Sequence, residues 1–177
     1  MFYMEKKDLR IVYMGTPDFA VPTLERLISE GYNVVGVITM PDKPIGRHQS
    51  QLQASPVKEC ALRHNIPVLQ PERLKDEAFL EELRALEADL QIVVAFRMLP
   101  EAVWAMPRLG TFNLHAALLP QYRGAAPINW AIINGDKETG IIDQEGVNRL
   151  VDYAIEHGVN YFDTAPVYCD GECERVT

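Results

Sequence analysis

The 177-residue sequence has little cysteine, no glycine cluster and no long apolar run, and each shortage excludes something. Its three cysteines, Cys60, Cys169 and Cys173, are too scattered for a disulfide framework, which points to a reducing cytoplasm. Cys169 and Cys173 enclose Asp-Gly-Glu with no further Cys or His beside them, so no metal site is expected. No apolar stretch approaches the roughly 20 residues that cross a bilayer. The opening MFYMEKKDLR lacks the apolar segment of a signal peptide, so no membrane partner is expected. The turn MGTPDFAVP carries Gly15 alone, not the repeated glycines of a dinucleotide fingerprint. Basic residues are also scarce: 17 Lys and Arg stand against 25 Asp and Glu, a net charge of −8. That balance gives no long-range attraction to a polyanion.

What remains is ordinary for a globular protein, with 47% hydrophobic and 24% charged residues in a length that suits one domain or one plus a fragment. The charge is unevenly spread. Residues 1–140 hold 17 acidic and 15 basic side chains, whereas residues 141–177 hold 8 acidic side chains against Arg149 and Arg175 alone. This shift suggests two segments of different origin, 1–140 and 141–177.

The first segment alternates strands and helices. LRIVYM (9–14) and NVVGVIT (33–39) are β-branched apolar runs of the kind covered on both faces of a parallel sheet. Between them, residues 23–31 carry Leu24, Leu27 and Ile28 at helical spacing, with Gly31 as the stop. Residues 41–58 read as a polar, proline-punctuated loop, long enough to be functional or disordered. Ser55 is placed as an N-cap before Pro56. IPVL (66–69) predicts a short strand, 72–87 an amphipathic helix, LQIVVAF (90–96) a central strand and TFNL (111–114) the next. The fold class is therefore α/β, a parallel, doubly wound, Rossmann-like sheet. Such sheets bind ligands at the carboxyl ends of their strands.

Asn113 and His115 fall at that edge, within the apolar stretch TFNLHAALLPQYRG. Side chains at i and i+2 of a strand share a face, and an unsatisfied polar group in an apolar site costs roughly 1–3 kcal/mol. The pair either satisfies itself as a stitch between strand and loop, or has a task. An Asn amide can donate to an oxygen gaining negative charge, and a near-neutral His can relay a proton. Together they suit acyl or formyl transfer.

From about residue 9 to 140 the chain resembles the N-terminal catalytic domain of methionyl-tRNA formyltransferases. The stretches that carry the resemblance are RIVYMGTPDFAVPTLERLI, VVGVITMPDKPIGR, SPVKECA, LQIVVAF with RMLP, and NLHAALLPQYRGAAPINWAIINGDKETG. The resemblance implies transfer of a formyl group from 10-formyltetrahydrofolate to methionyl initiator tRNA in translation initiation, by a cytoplasmic, metal-free monomer. Carried over by position, Asn113 would hold the formyl oxygen and His115 would manage the proton. Phe96, Met98, Leu99 and the turn Ala117, Leu118, Leu119 and Pro120 would bind the folate. The family commonly has Ser where this chain has Ala117. Lys43 and Arg47 would lie on the loop that reaches the tRNA, where His48, Gln49 and Ser50 replace the usual lysines. Beyond Gly140 the pattern stops. Val151 stands where an aspartate would complete the site, and the barrel domain that helps grip tRNA is expected to be missing, so impaired turnover and weak tRNA binding are expected.

The tail EGVNRLVDYAIEHGVNYFDTAPVYCDGECERV resembles aldo-keto reductases instead. Asp163 and Tyr168 match that family's catalytic Asp and Tyr, but its Lys and His have no counterpart here. The tail predicts a helix over 145–156 and a strand over 159–163, not an independent domain. Asp163 and Asp152 are the candidates to replace the missing aspartate. The alternative functions are a folate-binding module without turnover, or an NADPH-dependent reductase fragment on an inert carrier.

Overall fold

The sheet is built around β1 (Arg10–Gly15), whose residues Ile11 to Met14 are fully buried. In this computed structural model residues 5–45, 51–115 and 127–135 are described. β1 runs parallel to β2 (Asn33–Ile38) on one side, pairing Met14 with Ile38, and to β6 (Leu90–Val94) on the other, pairing Tyr13 with Ile92. β5 (Val68–Leu69) adds to β2 in the same sense. The strand order is β5-β2-β1-β6-β7, with β7 spanning Thr111–Leu114. The apolar run 90–96 is thus an inner strand, as expected, while β1 holds the middle position. Parallel strands covered on both faces account for the unbroken apolar sequences.

Helices connect the strands. α1 (Val21–Ser29) follows a short 3₁₀ turn over Asp18–Ala20 and ends before Gly31, whose φ of +80° is the left-handed conformation that glycine takes without strain. α2 (Pro56–Arg63) starts at Ser55, whose Oγ accepts the Lys58 backbone N–H at 3.1 Å. That cap was expected, and it meets one of the orphan donors of the first turn. α3 (Glu77–Ala85) is shorter than the predicted 72–87. Leu74 is buried although it lies outside the helix, so apolar spacing overstated its length. α4 (Glu101–Trp104) and α5 (Pro127–Ile133) complete the described helices.

The stretch 41–58, expected as a loop, contains two short strands. β3 (Lys43–Ile45) and β4 (Gln51–Gln53) pair antiparallel, with Pro44 opposite Leu52. The predicted tail helix and strand, over 145–156 and 159–163, lie outside the described residues. Among the described residues no helix is long and apolar enough to cross a membrane.

The chain divides into two compact units, residues 1–111 and 112–177. In the first, Val12, Met14, Ile38, Phe79, Leu80, Leu83, Val93 and Val103 form a core cluster, against which Phe96 and Leu99 pack. The buried Tyr13 hydroxyl donates to Ala20 O at 2.6 Å, so its burial leaves no unmet donor, and desolvation raises its pKa. Arg10 ties strand to helix: its Nη2 donates to Leu86 O at 2.8 Å, and its backbone N–H donates to Asp89 Oδ2 at 3.0 Å.

Candidate active site

Because β1, β2 and β6 are parallel, their carboxyl ends open at one edge. Thr39, just past β2, contacts Ser55 Oγ through its own Oγ1 at 2.7 Å. The α2 cap is therefore also a wall of that edge.

Past β6 the backbone turns sharply. Ala95 has a φ of +48°, left-handed for a residue with a Cβ, and such geometry persists only where the surroundings enforce it. The next residues separate in direction. Phe96 and Leu99 are half-buried against the core, while Met98 is 55% exposed. Arg97 braces the turn: Nη1 donates to Glu72 O at 2.8 Å and Nη2 donates to Pro71 O. Its Cζ also lies 5.4 Å from the Phe96 ring centroid. Burial lowers the Arg97 pKa, though a guanidinium keeps its charge. Local sequence does not show this bracing role, which depends on two carbonyls 25 and 26 residues away.

The start of β7 is fixed by a shared hydroxyl. Thr111 Oγ1 lies 2.8 Å from Trp104 O and 2.9 Å from Gln91 Oε1, and its one proton serves either acceptor in turn. Leu109 N–H donates to Asp89 O at 2.8 Å, and Gln91 N–H to Gly110 O at 3.1 Å.

In the second unit, Asn113 lies within β7 and His115 directly follows its last residue; both are half-buried. Two-residue spacing gives them the same side of an extended chain. Of the other predicted site residues, Lys43 is exposed in β3. Arg47, Ala117, Leu118, Leu119 and Pro120 lie outside the described residues, as do Val151, Asp152, Asp163 and Tyr168.

A further polar cluster joins α1 to α2 in the first unit. Glu25 of α1 meets Arg63 Nη2 at 2.8 Å and His64 Nε2 at 2.9 Å, and Cys60 Sγ donates to Glu25 Oε1 at 3.3 Å. Burial pushes the Glu25 carboxyl up, but Arg63, Cys60 and His64 together outweigh it and hold its pKa below the usual range. Burial and then the adjacent carboxylate push the Cys60 thiol up to about 11. In sequence only the four-residue step from Cys60 to His64 hints at this cluster; Glu25 joins through the packing of α1 on α2.

Comparison with known proteins finds two overlapping family matches along the chain. A family profile described as formyl transferase matches residues 9–145, and one described as aldo/keto reductase family matches residues 131–177. The chain is 79% identical over 138 residues to a methionyl-tRNA formyltransferase of Parabacteroides distasonis, covering 78% of this chain and 43% of the relative. It is 80% identical over 138 residues to that of Phocaeicola vulgatus, with 78% and 43% covered. To that of Azobacteroides pseudotrichonymphae it is 64% identical over 155 residues, with 88% and 46% covered. The chain thus spans less than half the length of these relatives. Among solved structures, a phosphoribosylglycinamide formyltransferase from Anaplasma phagocytophilum aligns with a TM-score of 0.55 at 16% identity, covering 84% of this chain and 82% of that one. One from Coxiella burnetii aligns with a TM-score of 0.52 at 16% identity, covering 86% and 83%. These two bear on the fold alone.

Proposed function

The chain belongs to the formyl transferase family, and from that premise we propose that it transfers a formyl group from 10-formyltetrahydrofolate to the α-amino group of methionyl initiator tRNA. In this reading the amine nitrogen bonds to the formyl carbon, and the bond from that carbon to the folate nitrogen breaks. The products are tetrahydrofolate and formylated methionyl-tRNA.

Asn113 donates its amide N–H to the formyl oxygen as that oxygen gains negative charge. One such donor is worth roughly 10²–10³ in rate. His115 takes the proton leaving the amine and returns it to the departing folate nitrogen, a transfer suited to imidazole near neutral pH. The observation that carries the reading is their placement, Asn113 in β7 and His115 directly after it, both half-buried.

Phe96, Met98 and Leu99 are proposed to line the folate site. Phe96 and Leu99 are anchored on the core, while the exposed Met98 offers apolar surface for a planar ring to cover. Ala117, Leu118, Leu119 and Pro120 are proposed to complete it from the loop. Lys43 and Arg47 are proposed to meet the tRNA backbone as point charges, an interaction weakened by salt. Residues 1–140 are the proposed transferase segment, and 141–177 the proposed reductase-like tail.

A second reading, folate binding without turnover, is favoured by one observation: Val151 stands at the aspartate position that the resemblance implies. Calorimetry with 10-formyltetrahydrofolate, followed by a single-turnover formylation assay, separates the two. Binding with formylation supports transfer, and binding without it supports the module. A folded chain that does not bind the folate contradicts both.

A further inference from the structure

Glu25, Cys60 and His64 form the one group of three metal-ligand types among the described residues, with ligand atoms all within 4.8 Å of one another. Cys60 and His64 are four residues apart, on the last turns of α2 and at its cap, so they share a face. Glu25 reaches them from α1.

The spacing suits a small cation. Ligands at bonds of about 2.0–2.3 Å around a tetrahedral zinc lie about 3.3–3.8 Å apart. Here Cys60 Sγ to Glu25 Oε1 is 3.3 Å and His64 Nε2 to Glu25 Oε2 is 2.9 Å, so modest side-chain rotations would open the set. The burial is also graded. Cys60 is fully buried and forms the floor, whereas the His64 and Glu25 side chains are 34% and 39% exposed at the rim. A water could occupy a fourth position there, and the ion has a path in.

We propose that Glu25, Cys60 and His64 bind a borderline-soft divalent cation such as Zn²⁺, clamping α1 to α2. On binding, the Cys60 S–H bond breaks and its proton passes to solvent, while the sulfur keeps the electron pair and bonds to the metal. His64 contributes a neutral nitrogen and Glu25 a carboxylate oxygen, with no change in oxidation state. Thiolate, carboxylate and dication then sum to zero charge. Arg63, 61% exposed, can swing from Glu25 into water as the ion takes its place. The protonated thiol argues against the rival idea of a reactive cysteine, which needs a depressed pKa. A bound dication reverses that preference by favouring the thiolate.

The test uses the full chain carrying Cys169→Ser and Cys173→Ser, which leaves Cys60 as its lone thiol. Zn²⁺ is titrated by calorimetry, and Co²⁺ by its thiolate charge-transfer absorption. One equivalent should bind, with a sulfur-to-cobalt band, and Zn²⁺ should raise Tm as expected for a ligand of the folded state. His64→Gln, at an exposed position that leaves folding intact, should weaken Zn²⁺ binding at least tenfold, and Cys60→Ala should abolish the cobalt band. No stoichiometric binding by the folded chain, or binding indifferent to His64→Gln, would overturn the proposal.

Discussion

Asp42 and Lys58 meet at 2.6 Å, closing the base of the β3–β4 hairpin. Gln70 Nε2 reinforces the point by donating to Asp42 Oδ1 at 2.7 Å and to Met40 O at 2.8 Å. The segment bearing Lys43 and Arg47 therefore leaves and rejoins the fold at a pinned site.

The pin predicts an acid response. Lys58, then Gln70, holds the Asp42 carboxyl below its ordinary value of 3.8. A depressed carboxyl stabilises the fold fully above its unfolded pKa and loses that contribution as pH falls through the folded one. Hairpin order, read as the rate of limited proteolysis within 41–54, should hold down to about pH 4 and decline below it. Asp42→Asn should show the faster cleavage at neutral pH as well, with Tm lowered only slightly because the half-buried pair ties down the hairpin and not the core.

Met98 separates ligand binding from folding. It is 55% exposed, so Met98→Ala should leave Tm within about 1 °C of the parent, a surface change away from the core. If a folate covers Met98, losing two or three buried groups at about 0.8 kcal/mol each should weaken binding roughly 10–50-fold by calorimetry. Unchanged affinity would remove Met98 from the site.

Gly36 tests the packing behind the site. A Cβ there would stand 2.6 Å from Leu86 Cδ1, and Leu86 packs against the core cluster. Gly36→Ala should cost about 1–3 kcal/mol by overpacking. In a denaturation cycle, Leu86→Ala in the same chain should cost less than it does alone, because the added methyl fills part of the space that Leu86 vacates.

Local signals made much of this fold legible. The β-branched runs became β1, β2 and β6, Gly31 ended α1, and Ser55 capped α2, each decided by residues next to one another. The β3–β4 hairpin was hidden because Lys43–Ile45 and Gln51–Gln53 are three residues each, too short for a period to stand out from a polar loop. The length of α3 was overstated because Leu74 has helical spacing but a non-helical backbone, and Arg97 bonds the carbonyls of Pro71 and Glu72 just before it. Asn113 and His115 could be picked out by their two-residue spacing at the end of an apolar run, which is the strand β7. The Glu25–Cys60–His64 cluster could not, since only the packing of two helices brings its carboxylate to the other two.

The position held by Val151 predicts slow turnover. An aspartate that orients a catalytic histidine in a hydrolase triad is worth on the order of 10⁴ in rate. Val151→Asp should raise single-turnover formylation at least tenfold if that position serves His115, with folate affinity unchanged. Equal rates would show that the tail does not supply the carboxylate there, leaving Asp163→Asn and Asp152→Asn as the variants to compare.

The account rests most directly on Asn113 acting on the formyl oxygen. The decisive measurement is single-turnover transfer from 10-formyltetrahydrofolate to methionyl-tRNA by the parent chain and by Asn113→Ala, with Tm and folate affinity determined on the same samples. The account predicts a rate lower by about 10²–10³ in the variant, with Tm and affinity nearly unchanged. A variant that melts markedly lower yet transfers formyl as fast per folded molecule would make Asn113 a stitch between strand and loop, and would contradict it.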